Sequence, residues 1–199
     1  MIYHICHLSL RPTDGDKRVA QQECKTLAEA DFEVSLLGVG LPDGSEGGVR
    51  TVGIAVPKSR FLRHRKIRKA LLQQALQIDA GLYHLHEPAL FGIGKKLKAN
   101  GKFVLYTSHR DEPKARLARH WLPQFLRKIP AHRVRQAENR TLVQFDGLVA
   151  TTTALRQRFL AFHSAVVEVS DAPKTWHTES KKLLVLYRKL ASKEKYGYQ

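Results

Sequence analysis

Residues Leu82 to Pro113 read LYHLHEPALFGIGKKLKANGKFVLYTSHRDEP, and this stretch decides the fold. Two short apolar runs, Leu82 to Leu85 and Phe103 to Thr107, flank a segment whose apolar residues Leu90, Ile93 and Leu97 recur at helical spacing. The spacing predicts strand, helix, strand. Asn100-Gly101 supplies the helix stop and the turn into the second strand, because glycine accepts the left-handed conformation that ends a helix. Each strand then runs into polar, ionisable residues: His84, His86 and Glu87 after the first, Ser108, His109, Arg110, Asp111 and Glu112 after the second. Ligands of open parallel sheets bind beyond the carboxyl ends of the strands, so these two clusters mark the rim of a candidate site.

Outward from this unit the same alternation repeats. Ile2 to Leu10 reads as a buried strand ending at Arg11-Pro12, followed by the loop Thr13-Asp14-Gly15-Asp16 and a helix with Ala20, Cys24, Leu27 and Ala28 on one face. Glu33 to Val39 is a second strand, Gly40 to Gly48 a flexible glycine-rich loop, and Val49 to Val56 a third strand. Beyond the central unit, Lys114 to Pro130 reads as an irregular helical excursion with Trp121 and Phe125 packing inward, and Ala131 to Gln144 as a helix. Leu148 to Thr151 is a sixth strand, Thr152 or Thr153 caps a helix carrying Leu155, Phe159 and Leu160, and Ala165 to Val169 is a seventh strand. Repeated βα alternation predicts an α/β fold, a Rossmann-like, doubly wound parallel sheet of about seven strands with helices on both faces.

Charge narrows the partners. The 199 residues carry 34 Lys and Arg against 18 Asp and Glu, a net +16, which draws the surface toward something anionic. Arg60, Arg63, Arg65, Lys66, Arg68 and Lys69 crowd the start of a helix whose apolar stripe is Ile67, Leu71, Ala75 and Ile78. Such a helix can lie on an anionic membrane surface, or simply solvate one face while covering the sheet. No apolar run approaches the about 20 residues that span a bilayer, so any membrane contact is expected to be peripheral. Cys6 and Cys24 fall in apolar patterns and read as reduced core residues, which points to the cytoplasm. No recognised nucleic-acid motif accompanies the charge, so a nucleic-acid partner is not expected.

Several further motifs carry a resemblance. Asp16-Lys17-Arg18, ECKTLAEA at Glu23 to Ala30, Phe32 to Leu36, Asp79 to Pro88, Gly101 to Glu112 and FDGLVAT at Phe145 to Thr151 occur in the order and spacing of the amino-terminal half of a GT-B glycosyltransferase of the retaining family-four type. The chain resembles that half over about residues 1–170. The resemblance implies a domain that mainly holds the acceptor, facing a second domain that grips the nucleoside diphosphate sugar. It further implies that Trp176 to Leu190, within 171–199, is the helix that returns from the second domain and packs on the first, as if joined directly after that domain's removal. A partner chain carrying the donor half, and a glycan or lipid-linked acceptor at the inner membrane face, are the corresponding partners. No cofactor is implied beyond the sugar donor, and the single domain is expected to be inactive alone.

By position, the family's diphosphate loop falls on Asp14, Gly15 and Arg18, and its histidine beside the transferred sugar on His109. His86, Glu87 and Glu112 complete the expected substrate or diphosphate contacts. A cation and backbone amides near a helix start suit a phosphate. The loop carries one glycine where relatives have a pair, and Arg110 follows His109 where relatives often have an acid. Structural readings stand beside these: a turn and helix cap for the loop, a backbone-bonded strand-end imidazole for His109, capping and loop bonding for His86 and Glu87. His84, His86, Glu87 and His109 could also be weighed as metal ligands, but the expectation is no metal site. The rival function, from a different class, is a basic binding module for nucleic acid or anionic lipid on a borrowed fold.

Overall fold

The computed structural model describes residues 3–10, 22–57, 63–109, 133, 135–170 and 176–196. Arg60, Asp14, Gly15, Arg18, Glu112, Trp121 and Phe125, on which several expectations fell, lie outside the described residues. The strands are β1 (His4–Ser9), β2 (Glu33–Val39), β3 (Gly44–Glu46), β4 (Val49–Ile54), β5 (Leu82–Leu85), β6 (Phe103–Ser108), β7 (Gly147–Ala150) and β8 (Val166–Glu168). They form one sheet in the order β3-β4-β2-β1-β5-β6-β7-β8. All pairs are parallel except β3 with β4.

Eight strands stand where about seven were expected, because β3 lies inside the supposed flexible loop. Its Gly44, Ser45 and Glu46 are all exposed, so no apolar alternation marks them. What makes the hairpin is the turn: Gly47 and Gly48 both take positive φ, 57° and 79°, as a two-residue loop of the type favoured by strand twist requires.

The helices are α1 (22–28), α2 (Arg63–Ile78), α3 (Phe91–Ala99), α4 (135–142), α5 (Thr153–Leu160) and α6 (Trp176–Tyr196). A 3-10 turn, Pro88–Leu90, leads into α3. Strand residues alternate between two cores. On one face Cys6, Leu8, Tyr83, Leu85, Val104 and Tyr106 pack with Ile67, Leu71, Ile93, Leu97, Leu142 and Phe159. On the other, Ile5, Leu82, Phe103, Leu105 and Val149 pack with Cys24 and Leu27 of α1 and Leu183, Leu186, Tyr187 and Leu190 of α6. Helices therefore cover both faces, and α6 lies against the same core as α1. Trp176 at its start donates its indole N–H to Thr26 Oγ1 at 3.1 Å.

Local chemistry fixes the connections around the central unit. After α3, Gly101 has φ 74°, Lys102 N–H bonds to Leu97 O at 3.1 Å and Gly101 N–H to Lys98 O at 3.0 Å, the paired bonds of a Schellman stop. After α2, Tyr83 Oη donates to Ala75 O at 2.6 Å and accepts from Ala80 N–H at 3.0 Å, so a strand side chain finishes the helix. Asp146, ahead of β7, accepts from Val104 N–H at 2.7 Å and from Lys98 Nζ at 2.8 and 2.9 Å, tying α3, β6 and β7 together.

Candidate functional site

In the sheet order β1 is central, with β2 on one side and β5 on the other. The chain leaves β1 for one half of the sheet and later returns to build the other half from β5. In open parallel sheets ligands bind at such a reversal, here beyond the carboxyl ends of β1 and β5. The residues there are polar. Ser9, last in β1, donates its hydroxyl to Glu87 Oε1 at 2.9 Å, and Leu10 N–H reaches the same oxygen at 3.0 Å. Glu87 thereby holds the chain as it leaves β1. His109, half-buried after β6, lies with its ring 6.2 Å from that of His86 and nearly parallel to it, at 23°.

Below this rim the polar cluster continues into the core. The β1–β5 register sets His7 directly beside His84, and both side chains point to the α1/α6 face, as the alternation of Ile5 and Leu82 in that core requires. His7 and His84 are fully buried, Glu23 of α1 is 2 % exposed and His86 7 %. His7 Nδ1 lies 3.0 Å from His86 Nε2. Tyr187 Oη of α6 lies 2.5 Å from His84 Nδ1 and 3.2 Å from His7 Nε2. His84 Nε2 lies 2.6 Å from Thr107 Oγ1. Glu23 Oε2 is 3.4 Å from His84 Nδ1, 3.8 Å from His7 Nδ1 and 3.9 Å from His86 Nε2.

Burial dominates the protonation of this cluster. It pushes His7 down to about 3. His84 and His86 are held well below the ordinary histidine range, first by burial and then by the neighbouring imidazoles. All three rings are therefore neutral at pH 7, with lone pairs available as acceptors or ligands. Burial likewise raises the Tyr187 phenol well above its usual value, keeping it a donor.

The predicted site residues thus divide. His86, Glu87 and His109 meet at one rim, but Glu87 turns to Ser9 and Leu10 while His86 turns inward. His7, Glu23 and Tyr187 complete the cluster and were not singled out by sequence. A signal for one existed: Glu23 is four residues before Leu27 and so falls on the buried stripe of α1, where an acid needs a reason. The basic residues lie elsewhere. Arg65, Arg68 and Lys69 of α2, with Lys96 of α3, line a groove floored by Leu72, Gly92 and Ile93, and Lys66 is exposed beside them. The first turn of α2 holds no acid. Its cations therefore sit at the helix end whose dipole disfavours them.

These features match one class of molecule. The chain superposes on a sucrose-phosphate synthase form designated 27_220_406_426, from Thermosynechococcus elongatus, with TM-score 0.63 and 18 % identity, covering 94 % of this chain and 98 % of that one. Against sucrose-phosphate synthase from the same organism in a longer chain the values are 0.63 and 17 %, covering 84 % and 48 %. A ugt transferase from Siraitia grosvenorii in complex with UDP gives 0.55 and 12 %, covering 90 % and 52 %. The chain spans about half the length of these longer structures. The fold is thus one half of the GT-B architecture, the acceptor-side domain of a glycosyltransferase. The model of Glycosyltransferase Family 4 matches residues 13–169, and the chain belongs to that family. No curated protein sequence matches it significantly.

Proposed function

We propose that this domain holds the acceptor for transfer of a sugar from a nucleoside diphosphate donor to a glycan or lipid-linked acceptor, in polysaccharide assembly at the cytoplasmic face of a membrane. The observation that carries this reading is the polar rim where β1, β5 and β6 end, at the reversal of strand order. Transfer of this kind depends on orienting an acceptor hydroxyl and stabilising a departing diphosphate, which are tasks of positioning and electrostatics. In this reading His109 stands beside the reacting sugar, Glu87 fixes the chain as it leaves β1, and Asp14, Gly15 and Arg18, assigned by sequence position, meet the diphosphate. The donor half of the site comes from another domain or a partner chain, and the domain by itself transfers nothing. The reaction is read as one without a catalytic metal.

The basic groove between α2 and α3 supports a membrane-facing orientation. Among the described residues no helix is long and apolar enough to cross a membrane. Contact through Arg65, Arg68, Lys69 and Lys96 would be peripheral and sensitive to salt.

The test is an amide-resolved titration with nucleoside diphosphate sugars and short lipid-linked acceptors. Shifts clustered at Ser9, Leu10, Glu87 and His109 are expected. Shifts confined to the α2/α3 groove, or none in a folded sample, overturn the acceptor-site reading.

A further inference from the structure

The acceptor-site reading leaves the deepest polar cluster without a task. Three imidazoles and a carboxylate converge beneath two helices, in a core otherwise mostly apolar. We propose that His7, Glu23, His84 and His86 form a buried four-ligand site for a divalent transition-metal ion of the zinc type, which fastens α1 to the central strands.

The spacing of the donor atoms carries this. One ligand atom from each residue can be chosen so that all four lie within 4.8 Å of one another. In a tetrahedral site with bonds of about 2.0–2.1 Å, ligand atoms stand about 3.3 Å apart. The separations found are 3.0 Å for His7 to His86, and 3.4, 3.8 and 3.9 Å from Glu23 Oε2 to His84, His7 and His86. These four edges bracket the tetrahedral value; the other two, from His84 to the two remaining imidazoles, carry the set out to 4.8 Å, so His84 is the ligand that moves furthest, by about 1 Å, when the site closes round an ion. Hydrogen bonds between a carboxylate and an imidazole N–H would instead close to about 2.7–2.9 Å.

The surroundings fit a ligand set. With Nδ1 turned to the ion, His84 has its Nε2 at 2.6 Å from Thr107 Oγ1, and His7 has its Nε2 at 3.2 Å from Tyr187 Oη. In these two histidines the outer nitrogen thus has an oxygen partner that fixes tautomer and ring orientation, the support that metal-bound histidines need. Tyr187 Oη also lies 2.5 Å from His84 Nδ1, a hydrogen bond that the ion would replace, leaving the hydroxyl with His7 Nε2 as its partner. Imidazole nitrogen with one carboxylate suits zinc and its neighbours rather than magnesium or calcium. Four protein ligands in a closed interior describe a structural site, compatible with a transfer reaction that uses no metal.

The experiment uses the full chain, stripped with a chelator and dialysed against metal-free buffer. Zn2+ is expected to bind one per chain and, at a hundredfold excess over Kd, to raise Tm by about 5–10 °C. Co2+ is expected to give the intense visible bands of four-coordinate nitrogen and oxygen ligation. His86→Gln and Glu23→Gln should each weaken Zn2+ binding at least about tenfold, while His64→Ala, at an exposed position on α2, should not. A wild-type chain that binds less than one Zn2+ in ten copies, or gains no thermal stability, overturns the proposal. So does Zn2+ binding undiminished in both ligand variants, and so does a six-coordinate Co2+ spectrum. Should a variant fail to fold, the wild-type stoichiometry and Co2+ spectrum still decide.

Discussion

Two glycines of α3, two residues apart, are predicted to respond to the same substitution with opposite sign. A Cβ at Gly94 would meet Leu85 Cδ1 at 2.7 Å and Phe145 Cζ and Cε1 at 2.7 and 3.0 Å. Carbon contacts are most favourable at about 3.5–4.0 Å, so the shortfall approaches 1 Å. Neither neighbour can yield cheaply: Leu85 is fully buried in β5, and the Phe145 ring stands edge-on to Phe91, 5.9 Å away. Overpacking of this kind costs about 1–3 kcal/mol, against about 1 kcal/mol gained when alanine replaces glycine in a helix. Gly94→Ala should therefore lose about 1 kcal/mol. At Gly92 a Cβ meets nothing within 4 Å, so only the helix gain remains. Gly92→Ala should gain about 0.5–1 kcal/mol. Urea unfolding at equal m-values would show the two variants on either side of the parent, separated by about 1.5–2 kcal/mol. Equal midpoints would refute the packing argument, and with it the claim that α3 is seated on β5 through a glycine.

Three other outcomes can be checked separately. Asp146→Ala removes the acceptor for Val104 N–H and the partner of Lys98, and should cost about 2–3 kcal/mol by urea unfolding, whereas Lys98→Met, whose lysine is part-exposed, should cost less. Tyr187→Phe takes a hydroxyl from two buried imidazoles and should destabilise by about 1–3 kcal/mol, with chemical-shift changes centred on His7, His84 and Thr107; Leu190→Ala, a buried cavity mutation on the same helix, should cost about 2–5 kcal/mol without shifting those rings. If the groove contacts anionic lipid, replacing Arg65, Arg68 and Lys69 together by Gln should reduce binding to phosphatidylglycerol vesicles about 100-fold, from about 1 kcal/mol per cation, and equal binding by parent and variant in a flotation assay would exclude the groove.

The parallel sheet was legible in sequence because its inner strands are fully buried, and Leu82 to Leu85 and Phe103 to Ser108 are continuous runs bounded by a glycine stop. β3 was not, since a strand with no buried side chain has no period to detect. The rim was half legible. His86, Glu87 and His109 follow strands and announce themselves, but their directions depend on neighbours in space: Glu87 is aimed by the end of β1, about 80 residues earlier, and His86 by His7. The buried cluster draws on positions 7, 23, 84, 86 and 187, and only the β1–β5 register and the docking of α6 bring them together. Local pattern contains neither.

The bond between His7 and Tyr187 spans 180 residues. On a ribosome adding about 5–20 residues per second, that separation is roughly 10–40 s of synthesis. Throughout it the first strand waits for the helix that will cover Ile5, Leu82, Leu105 and Val149. The opposite core, closed by helices encoded as far as Phe159, can condense well before. The nascent chain therefore passes through a stage with one finished face and one open face, and the open face presents apolar strands together with unclad imidazoles. A chaperone that engages this chain during translation would find its binding surface there, and would be displaced when α6 docks.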